Sequence, residues 1–483
     1  MQHLSKSRIL ANLQCPRRLW LQVYRPELGS RSGGSSSRLA AGIRLGEVAR
    51  SFEPEGVLIA ADDLARALRE TAAHHADGAG ILFEGTYQAE SVLVRADLMR
   101  REAGGWRMTE VKSAASVKEY HLADVAVQAW VVRQAGIPVS AIEIAHVDTS
   151  FVYPGGGRYQ GLLDHVDVTD EVSDLETAVP DWIDAARTTL AGDDPDTAPG
   201  DHCGDPFECP YLAFCAPEDS DSFPPEILPR NGSRAARLRE EGFNDLREIP
   251  LERLDRELHR RIVAATCSGR PWLDPAVSHK LAALPVPYYY IDFETIQFVV
   301  PIWAGTRPYE QIPFQWSCHI EDEDGKIQHR AFLAEGGGDP RRTFASTLID
   351  VLGTSGTVFV YNAAFERGCM LRLAEVFPDL ALALRAAAER IVDLLPIARD
   401  HYYHPEMRGS WSIKAVLPTI APQLSYSDLP VADGGMAQEA FGEVLREDTS
   451  PERRTELREA LLRYCERDTW AMVEVVRYFR EAG

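Results

Sequence analysis

Two carboxylates stand in an apolar and aromatic run, YYYIDFETIQ, where a strand needs no acid. Asp292 and Glu294 alternate with Phe293, so a strand projects both acids from one face. Two unpaired carboxylates on a buried strand are costly, and a divalent cation removes that cost. The spacing therefore predicts part of a metal site that needs further oxygen ligands from elsewhere in the chain.

Further acids lie downstream in helical segments. Glu366 is near the start of AAFERGCMLRLAEVF, after the predicted strand GTVFVYN. Tyr464 and Asp468, in LLRYCERDTWAMVEVVRYF, are four residues apart and share a helix face. Asp292, Glu294, Glu366 and Asp468 could surround two Mg²⁺ or Mn²⁺ ions roughly 4 Å apart, one activating water and the other stabilising the leaving oxygen. Tyr464 could orient the water. The alternative is that the strand acids are caps or salt-bridge partners and the helix pair is an ordinary helix face.

A second constellation lies in VRADLMRREAGGWRMTEVKSA and the helix after it. A hairpin turning at EAGG brings Asp97 opposite Glu110, and alternation places Glu110 and Lys112 on one face. Two carboxylates suit Mg²⁺ or Mn²⁺, and an adjacent lysine can orient water and stabilise a pentavalent phosphate. Gln128, among apolar residues of HLADVAVQAWVV, is expected to point to this site. Alternatively, Glu110 and Lys112 only pair on a solvated strand face.

Four of the eight cysteines could form a ligand set. Cys203, Cys209 and Cys215 follow the pattern C-x₅-C-x₅-C in a polar, proline-containing loop, and Cys15 lies near the N-terminus. Four thiolates can hold a [4Fe–4S] cluster or Zn²⁺. Zinc sites usually use C-x₂₋₄-C pairs, and neither interval here is that short. Zinc and four unliganded cysteines remain the alternatives.

The C-terminal motifs D-x-E, N-x-x-F-E and Y-x-x-x-D, in that order, resemble the DEDD exonucleases of the RNase H-like fold, in the tyrosine subclass. VDLLPIARD and GSWSIKAVLP resemble the middle segment of that family, so the resemblance spans about residues 286–478. It implies that the four acids bind metal and that Tyr464 positions water. The second motif usually carries Asp where this chain has Glu366, whose longer side chain still supplies oxygen.

Asp97, the hairpin, E-V-K and the helix glutamine resemble the RecB-like branch of the PD-(D/E)xK nucleases over about residues 80–155. On that match the two acids and the lysine are metal-binding and catalytic, and Gln128 is the helix glutamine of the branch. The branch often has an upstream histidine ligand. GIRLGEVAR offers none, and Glu47 or Glu84 could substitute.

One cysteine before this core and three after it resemble the iron–sulfur nucleases of the AddB and CRISPR-adaptation type. In that family the cluster ties the ends of the domain together and does no redox chemistry. The resemblance implies a [4Fe–4S] cluster on the four cysteines. The whole chain resembles a bacterial family that joins an iron–sulfur RecB-like domain to a DEDD-type exonuclease domain.

The surrounding pattern predicts the elements that position these residues. Strand, turn, strand, helix and strand alternate over residues 83–152, and a second α/β pattern begins near Val286. Long helices are expected over 364–390 and 436–481. An acidic, proline-rich stretch indicates a boundary near residue 225.

The expected fold class is therefore α/β, in three parts. Residues 1–225 are expected to form a PD-(D/E)xK restriction-endonuclease-like domain with the cysteine cluster, and 285–483 an RNase H-like domain. Residues 226–284 are expected to form a helical connector. LREEGFNDLREIPLERL within it indicates a linker hairpin or, alternatively, a helix-hairpin-helix module that grips phosphates.

Composition limits the partners. The chain has 483 residues and a net charge of −22, from 73 acids against 51 bases. This balance argues against non-specific coating of nucleic acid but is compatible with a local basic groove. No apolar run approaches the roughly 20 residues of a membrane helix, and the N-terminus is too polar for a signal peptide. The expectation is a cytoplasmic protein with no membrane partner.

Together these features predict phosphodiester hydrolysis on DNA ends or single strands, in repair, recombination or defence. Two alternatives stay open. RNA could be the substrate, because DEDD enzymes include RNases. One or both sites could be degenerate, which would leave a nucleic-acid-binding protein.

Overall fold

A computed structural model of the chain describes residues 4–30, 35–217, 221–230, 233–424, 426 and 428–482. It divides into two compact units of mixed α/β structure. The first comprises Met1–Glu218 and Phe298–Glu310, and the second comprises Asp219–Gln297 and Gln311–Gly483. Residues 226–284, expected as a separate connector, fall in the second unit. Within the described ranges, no helix combines the length and the apolar composition needed to cross a membrane.

A seven-stranded sheet forms the centre of the first unit. Its strands are β1 (Leu4–Ser5), β2 (Val57–Leu58), β3 (Ile81–Ala89), β4 (Val92–Glu102), β5 (Gly105–Lys112), β6 (Val139–Val147) and β7 (Leu163–Asp167). The order is β2-β3-β4-β5-β6-β7, with β1 paired to β4. Strands β3, β4 and β5 are successively antiparallel, whereas β5 and β6 are parallel. The predicted strand, turn, strand, helix and strand are confirmed.

Helices surround this sheet. They are α1 (Lys6–Gln14), α2 (Pro16–Tyr24), α3 (Ser35–Ser51), α4 (Leu64–Ala76), α5 (Glu119–Gln134), α6 (Thr169–Glu176), α7 (Val179–Ala191) and α8 (Leu212–Cys215). Helix α5 joins the parallel strands β5 and β6 and is buried over Val125–Val132. Burial of nearly every side chain in that stretch makes α5 the core helix of the unit.

Residues Phe298–Glu310 belong to the first unit although they follow a strand of the second. Val300 packs with Leu45 and Val48 in one apolar cluster. The Tyr159 hydroxyl donates to the Pro301 carbonyl at 3.1 Å. These contacts attach a short excursion of the chain to the first unit, and no shift in composition announces it.

The second unit contains a five-stranded sheet and a two-stranded sheet. Their strands are β8 (Trp272–Leu273), β9 (Tyr288–Ile296), β10 (Ile312–Glu321), β11 (Ile327–Leu333), β12 (Thr357–Val360), β13 (Ile391–Asp393) and β14 (Tyr402–Tyr403). The larger sheet has the order β11-β10-β9-β12-β13. Strand β10 is antiparallel to β9 and β11, whereas β12 is parallel to β9 and β13. Strands β8 and β14 form the smaller sheet.

The first helices of this unit precede the strands of the larger sheet in the chain, and the later helices lie between or after those strands. They are α9 (Arg234–Glu240), α10 (Glu257–Ser268), α11 (Ala276–Ala282), α12 (Arg341–Leu352), α13 (Ala363–Val376), α14 (Ala381–Glu389), α15 (Leu394–His401), α16 (Ile413–Ile420), α17 (Gly434–Leu445) and α18 (Pro451–Arg480). Between α9 and α10 the predicted helical turns are short 3₁₀ segments, Leu246–Glu248 and Leu251–Arg253.

Both long helices predicted here are interrupted, so these two predictions were wrong in detail. The segment 364–390 breaks between α13 and α14, where Pro378 follows the end of α13. The segment 436–481 breaks before α18, where Ser450 accepts a capping hydrogen bond from the Arg453 N–H and Pro451 takes the first helical position.

Candidate functional site

Strand β9 presents Asp292 and Glu294 on the side of the sheet that α18 covers. Phe293 points the other way and packs edge-on against Phe344, with ring centroids 5.0 Å apart. Glu294 is buried and Asp292 is half-buried. The strand therefore places both carboxylates on one face, as their spacing predicts.

Helix α18 brings Tyr464, Cys465 and Asp468 to the same face, and all three are buried. Cys465 Sγ lies 3.5 Å from Asp292 Oδ2. One ligand atom from each of Asp292, Glu294 and Cys465 lies within 4.8 Å of the other two. Burial, and then the nearby carboxylates, raise the pKa of Cys465 well above its ordinary value. The thiol therefore stays protonated and donates to Asp292.

Glu366 comes from the first turn of α13. Its side chain is buried, and its Oε2 atom has no hydrogen-bond partner in the described part of the chain. Asp393 holds this turn in place, because its carboxylate accepts from the backbone N–H groups of Asn362 and Ala363 at 3.0 and 2.9 Å. A buried carboxylate oxygen without a partner is costly, and a bound cation would supply one.

Burial and neighbouring acids favour the neutral forms of the carboxylates at this site. Burial, then Asp468, Glu294 and Glu366, raise the pKa of Asp292 well above its ordinary value. Burial and then Asp468 raise the pKa of Glu294 from 4.5 to about 8. Burial also raises the pKa of Glu366 from 4.5 to about 8. A divalent cation between them would reverse this effect, because it is the largest local charge.

Lys414 and Tyr426, which no motif singled out, also lie at this site. Lys414 Nζ is 5.3 Å from the ring centroids of both Tyr426 and Tyr464, and its charge lowers the pKa of Glu294 and Asp468. The Tyr426 hydroxyl donates to Asp468 Oδ1 at 2.6 Å. A hydrogen bond from Tyr464 also lowers the pKa of Asp468, but burial outweighs these partners and raises it. One lysine therefore balances four acids only in part.

In the first unit, β4 and β5 bring Asp97 and Glu110 together. The register pairs Leu98 with Thr109, so Asp97 and Glu110 stand one step further along the hairpin. Asp97 Oδ2 accepts a hydrogen bond from the backbone N–H of Val111 at 2.7 Å. Burial and then Glu110 raise the pKa of Asp97 from 3.8 to about 8. The hairpin thus produces the predicted pair.

Two lysines balance the acids of this first site. Lys112 Nζ donates to Glu110 Oε1 at 2.7 Å and also contacts Asp124 on α5. Lys6 Nζ, from α1, lies 3.0 Å from Glu110 Oε1 and 3.0 Å from Asp124 Oδ1. Burial opposes ionisation of Glu110, but the two lysines outweigh it and lower the pKa of Glu110. Burial also opposes the charged form of each lysine, yet the carboxylates raise the pKa of both.

The other residues expected here differ in their positions. Gln128 is fully buried, and its amide helps to lower the pKa of Glu110, although neither of its polar atoms makes a hydrogen bond of standard geometry. Glu84 lines a cavity of about 350 Å³ together with Asp97 and Glu110. Glu47 is not among the residues lining that cavity and pairs instead with an arginine on its own helix at 2.9 Å. Glu84, rather than Glu47, is therefore at the site.

Lys6 and Asp124 carry sequence signals of unequal strength. Asp124 precedes Gln128 by four residues on α5, so helical spacing could have placed it on the same face. Lys6 is 104 residues from Glu110 and belongs to no motif. Only the tertiary structure reveals its role.

A larger cavity, of about 940 Å³, adjoins Lys112. Tyr120 and Phe207 pack edge to face in its lining, with ring centroids 4.8 Å apart. Arg18 and Arg38 also line it. The cavity therefore combines aromatic faces with positive charge next to the lysine of the first site.

The four predicted cysteine ligands line one small cavity: Cys15, Cys203, Cys209 and Cys215. All are free thiols. Burial, with a contribution from neighbouring cysteines, raises the pKa of Cys209 and of Cys215. Among the described residues, no three of these sulfurs lie within 4.8 Å of one another. Four thiols that line one cavity are suitable ligands for a metal ion or an iron–sulfur cluster.

The family comparison falls mostly on the second unit. Residues 289–412 match a family model described as a domain of unknown function, DUF2779. This range contains Asp292, Glu294 and Glu366 but ends before Tyr464 and Asp468.

Three relatives of the chain are named as uncharacterized proteins. The chain is 27% identical over 215 residues to the MG366 homolog of Mycoplasma pneumoniae, a match that covers 40% of this chain and 32% of that relative. It is 24% identical over 217 residues to MG366 of Mycoplasma genitalium, with 40% and 32% covered. It is 27% identical over 213 residues to UU173 of Ureaplasma parvum, with 39% and 30% covered. The chain thus spans about a third of the length of the relatives it matches.

Proposed function

We propose that the chain is a metal-dependent nuclease with two phosphodiester-hydrolysing sites, acting as an exonuclease on DNA ends or single strands. The observation that carries this proposal is the convergence of four acids from β9, α13 and α18: Asp292, Glu294, Glu366 and Asp468. Oxygen ligands of this kind suit Mg²⁺ or Mn²⁺. These acids are buried and their negative charge is only partly balanced by Lys414, so bound cations would account for their presence.

The connectivity of the two sheets supports the proposed fold families. In the second unit, three antiparallel strands are followed by two that run parallel to β9, and β9 carries the acids at the middle of the sheet. This order supports an RNase H-like domain. In the first unit, the β4–β5 hairpin, the crossover helix α5 and the parallel strand β6 support a PD-(D/E)xK domain.

At the second site, the four acids would hold the metal ions, which supply an activated water and stabilise the leaving oxygen when bound. Tyr464 is a buried phenol whose pKa is raised by burial, so it stays a hydrogen-bond donor that can orient the attacking water. Lys414 places a positive charge beside Glu294 and Asp468 and is suited to contact a substrate phosphate.

At the first site, Asp97 and Glu110 would hold the metal, and Glu84 is the nearby candidate for a further oxygen ligand. Lys112 can orient water and stabilise the phosphate, because its ammonium group is held between Glu110 and Asp124. Gln128 packs behind Glu110 and is a positioning residue.

The four cysteines are proposed to hold a [4Fe–4S] cluster, with zinc as the alternative. The position of all four thiols around one cavity supports a shared metal group, and the five-residue intervals between Cys203, Cys209 and Cys215 favour the cluster over zinc. It would join the α1–α2 junction to the 203–215 loop and stabilise the first unit. Iron and sulfide analysis of anaerobically purified protein tests this role, and zinc without iron would overturn it.

The proposed substrate is DNA with single-stranded character. The cavity beside Lys112 supports it, because aromatic faces and arginines are the features that bind single strands without sequence preference. RNA has the same backbone charge and bases, so it remains the alternative substrate.

The decisive experiment measures Mg²⁺- or Mn²⁺-dependent degradation of end-labelled DNA and RNA oligonucleotides. Wild type is compared with Asp97→Asn, Asp292→Asn and the double variant. The matched control carries Asp164→Asn and Asp350→Asn, because both acids are exposed and lie in different units. We expect each single variant to lose part of the activity and the double variant to lose it, whereas the control retains it.

Full activity in the double variant would remove the nuclease assignment. Loss in only one single variant would show that the other site is degenerate. The first site is the candidate for degeneracy, because Lys6 already neutralises Glu110 and Asp124. A chain that binds oligonucleotides without cleaving them under any metal condition would instead be a nucleic-acid-binding protein.

A further inference from the structure

Two histidines face each other across the outer strands of the larger sheet. The antiparallel register pairs His319 on β10 directly with His329 on β11, and their ring centroids are 4.6 Å apart. Glu466, on α18, brings Oε1 to 3.7 Å from His329 Nδ1. One ligand atom from each of these three residues lies within 4.8 Å of the other two. The group uses none of the four acids of the proposed active site.

Buried hydroxyls fix one nitrogen of each ring. The Ser317 hydroxyl lies 2.9 Å from His329 Nε2, and the Thr469 hydroxyl lies 2.8 Å from His319 Nδ1. The two hydroxyls are also 2.9 Å from each other, so a continuous chain of hydrogen bonds connects the imidazoles. This arrangement leaves His329 Nδ1 and His319 Nε2 without these hydroxyl partners. Outer hydrogen bonds of this kind orient metal-binding imidazoles in proteins.

We propose that His319, His329 and Glu466 form a binding site for a transition-metal cation of the zinc class. Two imidazoles and one carboxylate suit Zn²⁺ and related ions, whereas the all-oxygen site on β9 suits Mg²⁺ or Mn²⁺. The geometry requires only a small contraction, because the half-exposed Glu466 side chain can move toward the rings. His329 is also partly exposed, which provides a path for the ion.

The burial of the group supports a metal ligand role over a hydrolytic triad. Ser317, His329 and Glu466 stand in the order of a serine, base and acid, but Ser317 is 1% exposed and bonded to Thr469. A nucleophile so enclosed cannot reach a substrate. His319 is buried too, and burial lowers its pKa from 6.5 to about 4, so its ring is neutral near pH 7 and can donate a lone pair.

A bound ion would attach α18 to β10 and β11. Glu466 precedes Asp468 by two residues on the same helix, so the ion would also stabilise the helix that carries Tyr464 and Asp468. The site would be structural, and its occupancy does not depend on whether the chain cleaves nucleic acid.

The test is zinc stoichiometry of the full-length protein, dialysed against Zn²⁺ in excess Mg²⁺ and measured by elemental analysis. His329→Gln and Glu466→Gln are compared with wild type and with the control His165→Gln. His165 is a fair control because it is an exposed strand histidine that also lies near a glutamate, at 3.3 Å from Glu143. All four proteins keep the same cysteines, so the difference between them isolates this site.

We expect both ligand variants to bind one fewer zinc equivalent than wild type and His165→Gln, and to lose the zinc-dependent increase in melting temperature. Ser317→Ala should keep the stoichiometry but weaken zinc affinity about 10- to 100-fold, because the imidazole is no longer oriented. Equal zinc content in wild type and both ligand variants would overturn the proposal.

Discussion

The two carboxylate sites differ in how their charge is balanced. In the first unit, Glu110 and Asp124 are held between the ammonium groups of Lys6 and Lys112, all within hydrogen-bonding distance. In the second unit, Lys414 lowers the pKa of Glu294 and Asp468 only, and the pKa values of Glu294 and Glu366 still rise to about 8. The acids of the first site are thus neutralised by lysines, whereas those of the second site are neutralised by protons or, as we propose, by a bound cation.

The comparison shows that a buried carboxylate can stabilise the fold at one site and destabilise it at the other. Removing Glu110 or Asp124 from the first site deprives two half-buried lysines of a partner, which destabilises the fold. Removing an acid from the second site relieves repulsion between like charges. Metal dependence of stability is therefore expected mainly in the second unit.

The largest expected effect is the loss of catalysis in Asp468→Asn, made in an Asp97→Asn background. Loss of one metal ligand should reduce the remaining nuclease rate about 1,000-fold, which corresponds to about 4 kcal/mol of transition-state stabilisation. At pH 8 and above, where the acids ionise, the same change should raise the free energy of unfolding of the metal-free protein by about 1–3 kcal/mol, because a buried repulsive acid becomes neutral. Single-turnover rates and denaturant unfolding measure the two effects.

Glu110→Gln provides the matched contrast. It should also abolish activity at its own site, but it should lower the free energy of unfolding by about 1–3 kcal/mol, because Lys6 and Lys112 lose their shared carboxylate. If both variants changed stability in the same direction, the charge contrast between the sites would be wrong.

The next effect is a fall in stability with rising pH. Glu294 and Glu366 have an ordinary pKa of 4.5 and a folded-state pKa of about 8. The folded chain therefore holds more protons than the unfolded chain between these values, and the free energy of unfolding decreases as pH rises through this window. Mn²⁺ should oppose the decrease, since it stabilises the ionised acids.

Calorimetry at pH 5, 6.5 and 8, with chelator and with Mn²⁺, would measure this dependence. Glu366→Gln should flatten the metal-free profile by the equivalent of about 1–3 kcal/mol at pH 8. Glu375→Gln, an exposed change on the same helix, should leave it unchanged. Identical profiles for wild type and Glu366→Gln would contradict the raised pKa of Glu366.

The local sequence pattern predicts the strands and helices that carry the acidic ligands. It predicts neither the residues at which these elements end nor the lysines that pair with the acids. Alternation in β9 and the β4–β5 hairpin give the correct faces for Asp292, Glu294, Asp97 and Glu110, because strand geometry has a strict period of two. A proline marks each helix break, at Pro378 and before α18 at Pro451. A prediction made from apolar periodicity alone misses both breaks.

The charged residues that complete each site have no such local signal. Lys6 reaches Glu110 across 104 residues. Lys414 lies in a helix distant in sequence from both β9 and α18, and Tyr426 lies outside any regular element. Their roles depend on tertiary packing, as does the placement of Phe298–Glu310 with the first unit. The sequence could not supply these contacts because none of them repeats with a helical or strand period.

A smaller effect is expected for Tyr464→Phe, again in the Asp97→Asn background. Loss of a hydroxyl that orients water should reduce kcat about 10-fold with little change in KM. Tyr426→Phe is the control, because its hydroxyl donates to Asp468 Oδ1 and lowers the pKa of that acid. That variant should shift the pH dependence of the rate upward and leave the rate at high pH near wild type. Equal kcat in Tyr464→Phe and the background enzyme would exclude the proposed role of Tyr464.

The smallest effect is expected for Lys6→Met in an Asp292→Asn background, where only the first site is active. Lys6 and a metal ion both neutralise Glu110, so removing the lysine should increase Mn²⁺ affinity about 3- to 10-fold, or about 1 kcal/mol. Lys112 still pairs with Glu110 and Asp124, so the fold should persist. The Mn²⁺ concentration that gives half-maximal cleavage measures the effect, with Lys118→Met, an exposed lysine of the same unit, as control. A higher Mn²⁺ requirement in Lys6→Met would instead show that Lys6 helps to assemble the metal site, and the first site would then resemble the second in needing all its charged partners.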